Sequence, residues 1–192
     1  MFLMLNRLVN FNEKGVTLVE LLATLILISI VSALAYSIFF QGYGNYQRIK
    51  VETELRDEAD LIMASFVKDL FVLKESEIKI INSCTSAANS SHLVITKKGA
   101  VPGSTTTPYK TGFENQKVLV KDQQVQFYNE NIELVPPDCS SNSPTSITKL
   151  TTGTGYTIKF TLKSKNSKKN LEMQFSNTVK VIDDSNNTAA GN

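Results

Sequence analysis

The chain has 192 residues, with 20 basic against 18 acidic side chains, a net charge of +2 and a pI of about 8.4. That balance is too even for a generally basic nucleic-acid binder. One histidine, two cysteines and no tryptophan leave little material for a histidine- or cysteine-based active site or for a zinc centre.

Residues 1–15 read as a short leader whose cations are Arg7 and Lys14. Residues 16–40 read as an apolar helix, and the uncharged run Leu21–Phe40 matches the roughly 20 residues a spanning helix needs. Glu20 stands at the mouth of that run, where a carboxylate within the bilayer costs up to about 3 kcal/mol and so calls for a reason. Thr17 and Glu20 have capping-box spacing, and an acidic first turn suits the helix dipole. Ala23, Thr24, Ser29, Ser32, Ala33, Ala35 and Ser37 are small enough for close helix approach in lipid. Gly42 and Gly44 are weak points, expected to mark a joint outside the membrane.

Residues 41–75 carry the helix onward. Val51, Leu55, Ala59, Ile62, Phe66, Leu70 and Leu73 recur by threes and fours, which is one apolar face. Arg48, Lys50, Glu52, Glu54, Arg56, Asp57, Glu58 and Asp60 are expected on the other faces. A continuous helix from Thr17 to Leu73 would span roughly 85 Å at 1.5 Å per residue.

Residues 76–182 change texture and read as one β-rich extracytoplasmic domain. Short β-branched or aromatic runs predict strands at 77–82, 92–97, 117–121, 125–129, 132–135, 156–163, 171–175 and 178–182. The alternation over Tyr156–Leu162 is the clearest. Residues 83–91, 100–112 and 136–148 read as loops, 163–170 as a polar hairpin turn, and 183–192 as a disordered tail. The expected fold class is α+β, a long N-terminal helix packed on an antiparallel sheet.

Chemical motifs are sparse. His92 opens a predicted strand, and no nucleophile-elbow pattern surrounds any serine. Gly153-Thr154-Gly155 is a turn and not a phosphate loop. No enzyme activity, cofactor or metal is expected. Lys163, Lys165, Lys168 and Lys169 cluster at the hairpin, either as a DNA phosphate contact or as a solvated turn that guards a sheet edge. No aromatic residue is interleaved with them, which weakens the DNA reading. Cys84 and Cys139 lie in Ser/Asn-rich loops, and in an exported domain a disulfide between them would stabilise by roughly 4 kcal/mol in the chain-entropy model.

The stretch Lys14-Gly15-Val16-Thr17-Leu18-Val19-Glu20, followed by the apolar run, resembles the processing signature of type IV prepilins and pseudopilins. The likeness is strong over residues 13–40 and faint beyond; Val16 replaces the usual Phe. The resemblance implies cleavage after Gly15 by a membrane prepilin peptidase, N-methylation of Val16, and a subunit-assembly role for Glu20. It implies a leader facing the cytoplasm, a single-pass anchor with an extracytoplasmic C-terminal domain, and other pilin or pseudopilin subunits as partners. The singular loops, the absent proline in the apolar helix and a faint likeness over residues 55–70 point to a minor subunit. The machine could serve secretion, DNA uptake or motility. Two other readings stay open. A signal peptide would use Arg7, Lys14 and the Ala33-Leu34-Ala35 site, releasing a secreted domain. A plain anchor would leave Glu20 as a helix cap only; charges on both sides of the span do not settle its orientation.

Overall fold

The computed structural model describes residues 15–85, 88–97, 107–138, 140, 142–165 and 171–184. The chain divides into two compact units, Met1–Gln47 and Arg48–Asn192. One helix, α1 (Leu18–Leu70), begins in the first and ends in the second.

In the first unit α1 is apolar on every side. Each residue from Gly15 to Gln47 is exposed, and an 18-residue stretch of the helix reaches a mean hydropathy of 2.5. The segment is long and apolar enough to cross a membrane. Its hydroxyls are satisfied internally: Thr24 Oγ1 donates to the Leu21 carbonyl at 2.9 Å and Ser29 Oγ to the Ile26 carbonyl at 2.7 Å. Such back-bonding is what a hydroxyl requires where no water is present. Gly42 and Gly44 lie within the helix.

In the second unit α1 buries Leu55, Ala59, Ile62, Phe66 and Leu70, the stripe expected from the sequence, and Leu73 joins them just past the helix end. Exposed turns carry i,i+4 pairs, Arg48–Glu52 at 2.7 Å and Lys50–Glu54 at 3.9 Å. Glu58 departs from expectation: it is 4% exposed and lies on the buried face.

Two antiparallel sheets accompany this half of the helix, where the sequence suggested one. The first is a five-stranded meander: β1 (Ile78–Cys84), β2 (Asn89–Ile95), β3 (Tyr109–Glu114), β4 (Lys117–Val120) and β5 (Gln123–Val125). The second comprises β6 (Ile132–Leu134), β7 (Ser146–Lys149), β8 (Gly155–Ser164) and β9 (Glu172–Lys180). β8 is its centre: β9 runs along one side of it, while β7 and β6 pair with successive parts of β8. The Ile147 amide donates to Ser91 Oγ at 2.7 Å, which ties β7 to β2 and so joins the sheets. Phe66, Phe113, Phe160 and Phe175 form a chain of ring contacts with centroids 5.3, 5.7 and 5.7 Å apart. The chain runs from α1 through β3 and β8 to β9, and the core lies along it.

Several strands differ from the sequence expectation for identifiable reasons. β3 and β7 fall in stretches expected as loops, because Pro108, Gly112 and Pro144 read locally as turn signals. Gly112 has φ of 156°, and a Cβ there would sit 2.4 Å from the His92 Cα. Glycine therefore serves close approach of β3 to β2, and not a turn. β5 comes earlier than predicted because Lys121 and Asp122, at φ 55° and 62°, form a two-residue turn that sets the Val120–Gln123 pairing. The two segments expected at 171–175 and 178–182 are one strand, β9. His92 lies in the middle of β2.

The stretch that follows β9 is fastened to the stretch that follows the helix. Lys74 and Ile182 form a parallel bridge, and Asp184 accepts hydrogen bonds from the amide and hydroxyl of Ser76. Asp184 thus has a structural partner although the sequence placed it in a loose tail; residues 185–192 lie outside the described residues.

Candidate processing and assembly segment

Gly15, Val16 and Thr17 precede the first helical turn, and Thr17 caps it. Its hydroxyl accepts the Glu20 amide at 3.3 Å, and its carbonyl accepts the Leu21 amide at 3.1 Å. One half of the expected capping box is therefore present. The return bond, from the Thr17 amide to the Glu20 carboxylate, is not formed among the described residues. No cation among the described residues lies within ion-pair range of Glu20, so the carboxylate projects from the helix without a charge partner there.

No described residue lies within 4 Å of where a Cβ on Gly15 would be. Among the described residues the fold thus places no limit on side-chain size at that position. A requirement for glycine has to come from whatever grips the segment. Val16, Leu18 and Val19 are at least 70% exposed, and the apolar surface continues without cover through Phe40, Tyr43 and Tyr46. A soluble monomer does not present a contiguous apolar patch of this extent; such a surface is matched to lipid or to other helices.

The other residues singled out by sequence fare differently. Cys84 ends β1 and is disulfide-bonded. Cys139 lies outside the described residues, so its pairing with Cys84 stands as a proposal. Of the lysine cluster, Lys163 pairs with Glu133 at 2.9 Å and Lys165 Nζ donates to the Glu130 carbonyl at 2.9 Å. These two lysines hold neighbouring strands and loops together. Lys168 and Lys169 lie outside the described residues. His92 is 6% exposed, burial chiefly and Lys110 next hold its pKa below 6.5, and its Nδ1 has no partner among the described residues. Among the described residues no three His, Cys, Asp or Glu side chains are grouped to hold a metal ion.

Sequence reasoning missed two buried carboxylates on α1. Asp69, 2% exposed, accepts the Thr111 hydroxyl at 2.6 Å and the Tyr109 hydroxyl at 3.1 Å, with Lys121 Nζ at 3.7 Å. Burial first, and then Asp69, raise the Tyr109 phenol well above its ordinary pKa. Glu58 Oε1 accepts the Asn129 amide at 2.6 Å, and Glu54 Oε2 accepts the Asn129 side-chain amide at 2.9 Å. The available signal was position: Asp69 and Glu58 each directly precede a residue of the apolar stripe, Leu70 and Ala59.

Compared with known families, residues 10–36 match the prokaryotic N-terminal methylation motif. No curated protein and no solved structure gives a significant match to the chain. With that motif at its N-terminus, a long apolar helix behind it and antiparallel sheets beyond, the chain fits the type IV pilin family.

Proposed function

We propose that the chain is a structural, non-catalytic subunit of a type IV pilus or of a type II secretion or competence pseudopilus. A prepilin peptidase removes residues 1–15 by cutting after Gly15 and methylates the new amino group on Val16. The apolar half of α1 anchors the subunit in the membrane and then enters the filament core, with the β-rich domain on the extracytoplasmic side. The missing helix proline and the singular loops favour a minor subunit. Cys84 and Cys139 form the disulfide of the exported domain.

The observation that carries this reading is the conjunction at Glu20. An acidic side chain without a cation in reach among the described residues stands at the head of a wholly exposed apolar helix that follows a methylation motif. In the membrane, an uncompensated charge near hydrocarbon is costly. Cleavage after Gly15 creates a positive amine on Val16. In a staggered stack of subunits one chain's amine can lie beside a neighbour's Glu20, and the attraction is strong in low dielectric. The pair would favour assembly and fix the axial register.

The test is the ratio of subunit in sheared filaments to subunit in membranes. Glu20→Ala and Glu20→Gln are expected to insert and lose the leader normally but to be depleted from filaments. Entry of Glu20→Ala at the wild-type level would leave helix capping as the sole role of this residue.

A further inference from the structure

Among the described strands β9 pairs only with β8, so one of its edges is open. The pairing runs unbroken from Lys163–Glu172 to Gly155–Lys180, and no bulge interrupts it. The other sheet edges are short or charged. β5 and β6 have three residues each and β7 has four, while β1 carries Lys79 within it. Over its nine residues β9 holds no proline and no glycine, and its only charges stand at its two ends. The devices that keep an edge from pairing with another chain are therefore missing along its length.

Neighbouring bonds fix which backbone groups face that open edge. The Thr178 amide donates to the Asn177 side chain at 2.8 Å. The Ile182 amide donates to the Leu73 carbonyl at 2.9 Å, and the Ile182 carbonyl accepts the Glu75 amide at 3.0 Å. The Val181 carbonyl turns the other way, to the hydroxyl of Thr154 just before β8. By the alternation of a strand, Glu172, Gln174, Ser176, Thr178 and Lys180 turn their amides and carbonyls away from β8. Leu73 and Glu75 occupy the edge beyond Lys180, which leaves β9 itself, with Ser176 at its middle.

We infer that β9 of one copy pairs antiparallel with β9 of a second copy, about a two-fold axis at Ser176. This register sets Glu172 opposite Lys180 at both ends of the seam. Neither charge has an ion-pair partner among the described residues. Lys180 lies across from Gly155, which has no side chain, and Glu172 lies across from Lys163, which Glu133 already holds at 2.9 Å. The inner pairs match as well. Gln174 faces Thr178 and Ser176 faces itself on one side of the sheet, and Met173 faces Val179 on the other. Thr178 exchanges its bond to Asn177 for one to the Gln174 carbonyl. A shift of two residues either way parts Glu172 from Lys180, so charge and edge length select one register.

A contact of this kind is isologous and closes as a dimer. Its axis passes through the sheet, so the stretches of α1 packed on the two sheets run in opposite directions. Copies stacked in one filament all run one way. The contact therefore joins copies in two oppositely directed filaments lying side by side, and for that use it rests on the filament reading.

The experiment uses the full chain in detergent, unreduced, with single cysteines added on β9 and a short bifunctional thiol reagent. Only a residue on the axis meets its own copy; Gln174 and its copy are about 14 Å apart along the seam. Ser176→Cys should thus give a covalent dimer, while Gln174→Cys and Thr178→Cys should give it only when mixed with each other. Glu172→Lys and Lys180→Glu should each lower the Ser176→Cys dimer by about fivefold, and mixing those two variants should bring it back. Equal yields at the three positions, no dimer, or no recovery on mixing would overturn the pairing. Sheared filaments from two cultures carrying differently tagged Ser176→Cys chains, mixed before the reagent is added, should give a dimer with both tags. Its absence there would overturn the link between filaments. The filament reading fails separately, since chains that dimerise in detergent but never enter filaments would sink that reading and keep the pairing.

Discussion

Asp69→Ala is the substitution whose consequence is worked out most fully by the geometry. The carboxylate is buried and serves three groups on β3 and the β4–β5 turn. Its bond with Thr111 is charge-assisted, and Thr111 is itself fully buried, so its loss costs about 2–3 kcal/mol. The Tyr109 hydroxyl can partly recover water, which limits its share to about 1 kcal/mol. The Lys121 side chain is more than half exposed and adds at most a few tenths. The expected total is about 3–4 kcal/mol, and about 1–2 kcal/mol for Asp69→Asn, which keeps an acceptor for one hydroxyl. Urea unfolding of the detergent-solubilised chain, followed by tyrosine fluorescence, reads the effect. With an m-value of about 2 kcal/mol/M, the midpoint should fall by about 1.5–2 M for the alanine variant. A loss below about 1 kcal/mol, or strict additivity with Thr111→Val, would refute the view that this network locks α1 to the first sheet.

Three further outcomes follow from particular residues. Gly112→Ala forces a Cβ to 2.4 Å from His92 Cα and should cost roughly 3 kcal/mol or more, read as loss of the protease-resistant domain. His92 has its pKa depressed on folding, so the unfolded chain binds more protons below 6.5; stability should be full above that pH and fall on acidification below it, with the slope removed in His92→Gln. In native, unreduced protein Cys84 should resist alkylation and become reactive on reduction; labelling without reductant would reject the disulfide.

The helix was legible in the sequence because its apolar positions have a single period across the stripe from Leu55 to Leu70. β8 was legible because Tyr156, Ile158, Phe160 and Leu162 alternate, and all four are buried. β3 and β7 were not, although each pairs with the next strand in the chain, since Pro108 and Pro144 just before them and Gly112 within β3 signal turns locally. Glu58 and Asp69 were hidden by the rule that charges face solvent; partners on the 126–131 loop, on β3 and on the β4–β5 turn offset their burial, although Glu58 Oε2 has no partner among the described residues. The Gly15–Glu20 segment is the reverse case. Its meaning was read from resemblance and from the apolar run behind it. The structure adds that no contact within the described chain requires Gly15 to be small or gives Glu20 a charge partner.

The most direct test of the central claim is mass spectrometry of the mature N-terminus after co-expression with a prepilin peptidase. The chain is predicted to begin at Val16 and to carry one N-methyl group. A start at Tyr36, as signal peptidase would leave, or an intact residue 1–15 segment would contradict it.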